Sequence, residues 1–310
     1  MKHLERALDG QNQVWKYILV FLIGFLATNF IGALPLAVVI IIKQSQGFDI
    51  NSASLIDFSV LGINLNVSLL LMLIPFIVGL FVIIPLVKNL HQRSWIEVIN
   101  GTKTLRWKRF FFSAFIWTII MGFILWIHYL IAPQDYILRF NPINLIPLAI
   151  ISLSLIPLQT FYEEFLFRGY FMQGMAAWTK NRWQSLIIPA LLFGLMHILN
   201  PEIKEYGFWL TMPQYILFGL LFGIMIIMDD GIETAMGAHA ANNIFLCLIV
   251  TSKGSALQTY ALFEKINVKA SILDSVELFI TGGLLILILG IKYKWKLSVL
   301  NKKVEIETLK

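Results

Sequence analysis

The sequence contains little charge, one cysteine and no long polar stretch. Of its 310 residues only 14% are charged and 58% are hydrophobic, whereas an ordinary soluble domain has about 25% charged residues. This composition excludes a water-soluble globular protein. The lone Cys247 excludes an intramolecular disulfide framework and a cysteine-based zinc cluster. Because no polar stretch is long enough for a separate soluble domain, we expect residues 1–310 to form a single membrane domain.

Long apolar runs occupy most of the chain. A run of about 20 apolar residues can cross the roughly 30 Å hydrocarbon core as a helix, because a helix satisfies its own backbone hydrogen bonds. The predicted fold class is therefore all-α, a polytopic membrane helix bundle with about eight transmembrane helices. The predicted spans are residues 17–42, 67–87, 110–132, 143–166, 185–200, 213–229, 232–252 and 272–291.

The basic residues indicate an orientation in the membrane. With the N-terminus placed in the cytosol, 17 of the 24 Lys and Arg residues fall on the cytosolic side and six on the other. Because cytosolic loops carry an excess of Lys and Arg, this distribution predicts that both termini are cytosolic. The net charge of +6 does not indicate nucleic-acid binding, since the basic residues lie between apolar runs. The Ile-, Lys- and Asn-rich composition suggests a bacterial protein. We therefore expect the membrane to be the bacterial cell membrane.

Residues 89–109 form a basic segment between the second and third spans. Trp95 and Trp107 alternate there with Lys and Arg side chains. This mixture is typical of an interfacial segment that lies in the headgroup region beside anionic lipid. The alternative interpretation is a docking surface for an anionic partner.

Two adjacent carboxylates lie in the fourth predicted span, within the apolar and aromatic run 161–169. On a helix, Glu164 and Arg168 share a face and can pair, while Glu163 is turned about 100° away and is left free. Ionisable side chains inside a span are costly unless they are paired or hydrated, so each one indicates a structural or functional role. A free carboxylate in apolar surroundings is suited to act as a general base.

Two histidines lie in the later spans. Phe193 precedes His197 by four residues, and His239 precedes Asn243 by four, so the second pair also shares a helix face. Small residues flank both histidines and allow neighbouring helices to approach closely. We therefore expect these side chains to converge with the two glutamates on one site. The alternative is that they are polar links between helices without chemistry.

Two further groups are given no chemical role. Asp229, Asp230 and Glu233 lie at the turn before the seventh span. Acidic residues are favourable at a helix N-terminus because of the helix dipole, so we interpret this cluster as structural. His3 lies in a polar region and is assigned no function.

The three patterns together resemble a known family. Glu-Glu-x-x-x-Arg at 163–168, Phe-x-x-x-His at 193–197 and His-x-x-x-Asn at 239–243 are similar, in that order, to the motifs of the CPBP intramembrane protease family. This family includes the type II CAAX prenyl endopeptidases and the bacterial Abi-type proteins. The resemblance covers residues 143–252, which would be the catalytic core. It implies an eight-helix bundle with a cavity open to the cytosol.

The resemblance also implies roles for individual residues. Glu163 would activate the attacking water, and His197 would help to hold it. Glu164 and Arg168 would brace the site as an ion pair. The substrate would be a peptide or membrane protein at the lipid bilayer, cleaved near its C-terminus. In an organism that prenylates proteins, a farnesylated or geranylgeranylated C-terminal motif is the natural substrate.

The last implied role is stabilisation of the oxyanion. Whether the site also holds a metal ion stays open. The resemblance implies that His239 and Asn243 stabilise the oxyanion. The family is usually called metalloprotease, and two histidines with a carboxylate can also hold a catalytic zinc. A water activated by Glu163 needs no ion, so the same residues serve both schemes.

Two other functions compete with an endopeptidase. A membrane scaffold or immunity protein would bind a partner and perform no chemistry. A transporter or proton relay would also place Glu and His inside spans. The two halves of the sequence lack a matching pair of Gly/Pro-interrupted segments, which are the better indication of a transporter.

Overall fold

The computed structural model describes residues 2–49, 58–102 and 104–305. Lys103, which belongs to the basic segment 89–109, lies outside these ranges. The described chain is almost entirely helical, which confirms the predicted all-α membrane bundle. Its α-helices are α1 Val14–Leu26, α2 Leu34–Ser45, α3 Leu65–His91, α4 Trp95–Ile99, α5 Trp107–Ile131, α6 Pro142–Glu163, α7 Met172–Thr179, α8 Arg182–Met196, α9 Pro201–Tyr206, α10 Phe208–Asp229, α11 Glu233–Leu248 and α12 Ile272–Tyr293.

Six helical segments are long and apolar enough to cross a membrane. Two of them combine a pair of helices through a π-helical turn: α1 and α2 through Ala27–Gly32, and α6 and α7 through Glu164–Phe171. The six segments are Val14–Ser45, Leu65–His91, Trp107–Ile131, Pro142–Thr179, Phe208–Asp229 and Ile272–Tyr293. The remaining two of the eight predicted spans correspond to the shorter helices α8 and α11, of 15 and 16 residues.

The boundaries of several predicted spans were wrong. The fourth span, predicted to end at 166, continues to Thr179, so Arg168 lies inside a helical segment and not at its end. The fifth ends at Met196 instead of 200. The seventh ends at Leu248, just before a strand.

Helix α11 lies in the centre of the bundle. It packs against α5, α6 and α10, and every residue from Glu233 to Asn242 is buried. The small side chains of this stretch allow that approach, since a Cβ atom at Gly237 would overlap the carbonyl oxygen of Phe110 in α5. The central position of α11 brings His239 and Asn243 next to α6.

The two ends of the bundle differ. One end carries a small sheet in the order β1-β3-β2, with β1 antiparallel and β2 parallel to β3. At the other end, Arg182 donates to Glu5 and to the carbonyl of Lys302, so the N- and C-terminal segments lie together. The strands are β1 Tyr136–Leu138, β2 Val250–Thr251 and β3 Phe263–Lys265.

Two arginines of the basic segment contact buried side chains of the protein. Arg93 is buried and donates to Gln173 at 2.8 Å. Arg106 forms a two-point contact with Glu233 through its Nε and Nη2 atoms. Burial of Arg106 opposes its charge, but the adjacent Glu233 carboxylate outweighs this effect and raises the pKa of Arg106. These two side chains therefore form hydrogen bonds with other residues of the protein.

The acidic cluster before α11 does more than cap a helix. Asp229 pairs with Arg106 at 3.2 Å and also with Arg109, while Glu233 pairs with Arg106. Besides favouring the start of a helix, this cluster therefore forms ion pairs. These ion pairs connect the start of α5 to the turn between α10 and α11.

Candidate active site

The site begins where α6 changes into the π-helical turn. Glu163 is the last residue of α6, and Glu164 is the first residue of the turn. Nη1 of Arg168 donates to Oε1 of Glu164 at 3.0 Å, and the two side chains are 1% and 0% exposed. The spacing of four residues predicted this pair, and the structure forms it.

Arg168 also contacts an aromatic side chain on α8, Phe193. Its Cζ atom lies 3.8 Å from the centroid of the Phe193 ring, in a cation–π contact. Such contacts are strongest where water is excluded. The same ring lies 4.5 Å from the ring of His197 and 6.2 Å from that of His239. The phenylalanine of the Phe-x-x-x-His pattern thus packs against three of the polar side chains of the site.

His239 connects the two glutamates. Its Nδ1 atom lies 2.8 Å from Oε1 of Glu164, and its Nε2 atom lies 3.5 Å from Oε2 of Glu163. An ionised carboxylate only accepts hydrogen bonds, so Nδ1 is the donor to Glu164. The sequence indicated which residues share a helix face, but it carried no signal for this contact between α11 and α6.

Glu163 is not free, in contrast to the expectation. Gln159, one turn earlier on α6, donates from Nε2 to Oε1 of Glu163 at 2.7 Å. Gln159 also accepts a hydrogen bond from Nδ2 of Asn243 at 3.0 Å. Sequence reasoning missed Gln159, although a polar residue four positions before Glu163 in an apolar run was a usable signal.

His197 lies at the end of α8, where it caps the helix. Its Nδ1 atom lies 2.7 Å from the carbonyl oxygen of Phe193, which can only accept, so Nδ1 carries the proton. The imidazole ring stacks on Tyr215 of α10 with centroids 4.4 Å apart. In the neutral ring, Nε2 is therefore an acceptor with a fixed direction. Tyr215 is a second residue that the sequence did not indicate.

The described residues do not fit a metal centre. Within them, no group of three or more His, Cys, Asp or Glu side chains has an arrangement that could hold a metal ion. Both ring nitrogens of His239 are directed at carboxylates, and Nδ1 of His197 is occupied by a backbone carbonyl. The six predicted site residues instead supply two carboxylates, one guanidinium, two imidazoles and one amide.

The chain is similar to proteins of a known family. Residues 142–245 match the family model described as "Type II CAAX prenyl endopeptidase Rce1-like". The chain is 30% identical over 259 residues to the Bacillus subtilis (strain 168) protein described as "Uncharacterized protein YyaK", a match that covers 82% of this chain and 84% of that protein. The chain belongs to the Rce1-like family. The matched region contains all six predicted site residues. No solved structure matches the chain.

Proposed function

We propose that this Rce1-like protein is an intramembrane endopeptidase that hydrolyses a peptide bond with a water activated by Glu163. The observation that carries the proposal is the position of Glu163. Its carboxylate is buried, is held through Oε1 by Gln159 and presents Oε2 toward His239. A carboxylate with one oxygen fixed and the other directed at a polar site is suited to general-base catalysis.

The water would lie between Glu163 and His197. In this arrangement Oε2 of Glu163 accepts a proton from the water as it attacks the peptide carbonyl. Nε2 of His197 accepts the second O–H and orients the water, because Nδ1 is held by the carbonyl of Phe193. The carbonyl carbon gains the oxygen of water, and the leaving nitrogen receives the proton that Glu163 took.

The oxyanion would be stabilised by His239 and Asn243. Because Nδ1 of His239 is already the donor to Glu164, a second donor at Nε2 requires the protonated ring. Asn243 uses one Nδ2 proton on Gln159 and has a second for the oxyanion. Loss of one such donor typically lowers the rate about 10²- to 10³-fold.

The substrate would be a membrane-associated or prenylated peptide or protein. The family description names prenyl endopeptidases, and Glu163, Glu164 and Arg168 lie on a helical segment long enough to cross a membrane. A substrate anchored in the same bilayer would reach such a site without leaving the lipid. The membrane would be the bacterial cell membrane, with both termini cytosolic.

The experiment compares new peptide termini in membranes of cells that make the wild type or Glu163→Gln at matched levels. Glu277→Gln, at the start of α12 and 40% exposed, is the control. Termini that appear with the wild type and with Glu277→Gln but not with Glu163→Gln support the proposal and identify the substrate. If all three profiles agree while the wild type has a phenotype, the protein acts as a scaffold or immunity protein.

A further inference from the structure

A chain of side-chain hydrogen bonds leads from α5 to Glu163. The indole Nε1 of Trp117 donates to Oδ1 of Asn242 at 3.3 Å. Asn242 donates from Nδ2 to Oδ1 of Asn243 at 3.1 Å, and Asn243 donates to Oε1 of Gln159 at 3.0 Å. Gln159 then donates to Oε1 of Glu163 at 2.7 Å. The chain crosses three helices, α5, α11 and α6.

The two ends of the chain determine its direction. An indole N–H can only donate, and an ionised carboxylate can only accept. Each of the three amides between them must therefore accept with its oxygen on the Trp117 side and donate with its nitrogen on the Glu163 side. Turning one amide over would place two donors or two acceptors face to face at both of its neighbours. A single orientation of Gln159 is thus compatible with the whole chain.

Three of the four side chains that lead to Glu163 are buried, and Asn243 is partly buried. Trp117 is 3% exposed, Asn242 9% and Gln159 6%. Buried polar groups that lose their partners are costly because water cannot replace the lost hydrogen bond. Each hydrogen bond therefore favours the amide orientation that the next hydrogen bond requires. The orientation of Gln159 thus depends on Trp117, which does not contact Glu163.

We propose that Trp117, Asn242 and Gln159 are positioning residues that assign different tasks to the two oxygens of Glu163. Oε1 accepts the N–H of Gln159, which occupies one of its lone pairs and makes it the weaker base of the two oxygens. Oε2 is therefore the atom that accepts the proton of water, and it is the oxygen that faces His239. This inference rests on the proposed endopeptidase function, and it adds three residues outside the family motifs.

The test measures kcat, KM and the pH–rate profile on a fluorogenic peptide that carries the cleavage sequence found in the terminus comparison. Gln159→Met keeps the length of the side chain but removes the donor. We expect kcat to fall about 10- to 100-fold with KM nearly unchanged, because the base is misplaced while the substrate contacts remain. Trp117→Phe is expected to lower kcat by a smaller factor.

Gln159→Glu gives the sharper result. It places a second carboxylate beside Oε1 of Glu163, and two carboxylates so close cannot both ionise. The acidic limb of the pH–rate profile should therefore move to higher pH, which a merely structural defect would not produce. In the double variant Trp117→Phe/Gln159→Met, the two losses should combine to less than their product, because both break one chain.

The control is Trp126→Phe, on the same helix as Trp117 but 55% exposed, which should leave kcat unchanged. A wild-type kcat and pH profile in both Gln159 variants, with Glu163→Gln inactive, would overturn this inference and leave the proposed function intact. Full activity of Glu163→Gln would instead overturn the proposed function. Thermal unfolding of each variant separates loss of activity from loss of fold.

Discussion

Nη1 of Arg168 lies 3.0 Å from Oε1 of Glu164, inside the bundle, where neither side chain reaches solvent. Nε and Nη2 of the same guanidinium have no hydrogen-bond partner within the described residues, and its charge is balanced by Glu164 and the face of Phe193. Removing one member of a buried ion pair leaves the other charge uncompensated. This usually costs more than the pair contributes.

We expect Arg168→Met to lower the free energy of unfolding by about 3–5 kcal/mol, measured by denaturation in detergent micelles. The double variant Arg168→Met/Glu164→Gln should recover part of the loss, because no carboxylate is then left unpaired at this position. Glu277→Gln is the control. It breaks a 2.9 Å contact to His128 that is about 40% exposed on both sides, so its cost should stay below about 1 kcal/mol. Equal costs for Arg168→Met and Glu277→Gln would contradict the prediction.

The close approach of α5 and α11 gives a second prediction. A Cβ atom at Gly237 would overlap the backbone carbonyl of Phe110, which cannot move without its helix. Gly237→Ala should therefore separate the two helices, destabilise the protein by about 1–3 kcal/mol and displace His239, two residues later. We expect a lower melting temperature together with a lower kcat.

Gly122→Ala, within α5, is the matched control for Gly237→Ala. A Cβ atom at Gly122 meets nothing within 4 Å. Alanine is the better helix former, so this change should leave kcat unchanged and stabilise the protein by up to about 1 kcal/mol. If Gly237→Ala behaves like Gly122→Ala, the contact between the helices is looser than the structure indicates.

The buried His3 gives a prediction for the pH dependence of stability. Its Nε2 atom lies 3.3 Å from the carbonyl oxygen of Arg168, and Nδ1 lies 3.3 Å from Nε2 of Gln173. Burial lowers the pKa of His3 from 6.5 to about 4, against the opposing charge of Asp230. In the unfolded chain His3 binds a proton below about pH 6.5, and in the folded protein only near pH 4.

The unfolded state therefore binds more protons between these two values. We expect the free energy of unfolding to fall as the pH drops from 6.5 to 4, with a contribution from His3 of at most about 1.4 kcal/mol per pH unit. His3→Gln should be less stable at pH 7 but flatter over this range, as measured by melting temperature against pH. An unchanged slope in His3→Gln would disprove the assignment.

Contacts within one helix could be predicted from the sequence, and contacts between helices could not. The spacing of Glu164 and Arg168 was enough to predict their ion pair, because four residues make about one helical turn. The same rule applied to Gln159 and Glu163 would have shown that Glu163 is held. No periodicity indicates that Nδ1 of His239 contacts Glu164, 75 residues earlier.

The spans show the same limit. Apolar length indicated the six long helical segments, but it did not predict where α8 and α11 end. Helix α11 is enclosed by other helices. The buried His3 was missed for a related reason. A polar residue in a polar stretch gives no sign that its partners lie on α7 and on the turn after Glu164.

The direction of the chain from Trp117 to Glu163 also affects where a proton can travel. Side-chain amides neither gain nor lose protons near neutral pH, whereas intramembrane proton pathways are built from Asp, Glu and His. The three amides therefore hold Oε1 of Glu163 in place but provide no path by which a proton could leave it. In the proposed reaction, a proton taken up by Glu163 would leave from the other side, at Oε2 beside His239. Such an arrangement would keep the proton near Glu163 until it is transferred to the leaving group. A proton pump, in contrast, would have to pass the proton along a pathway.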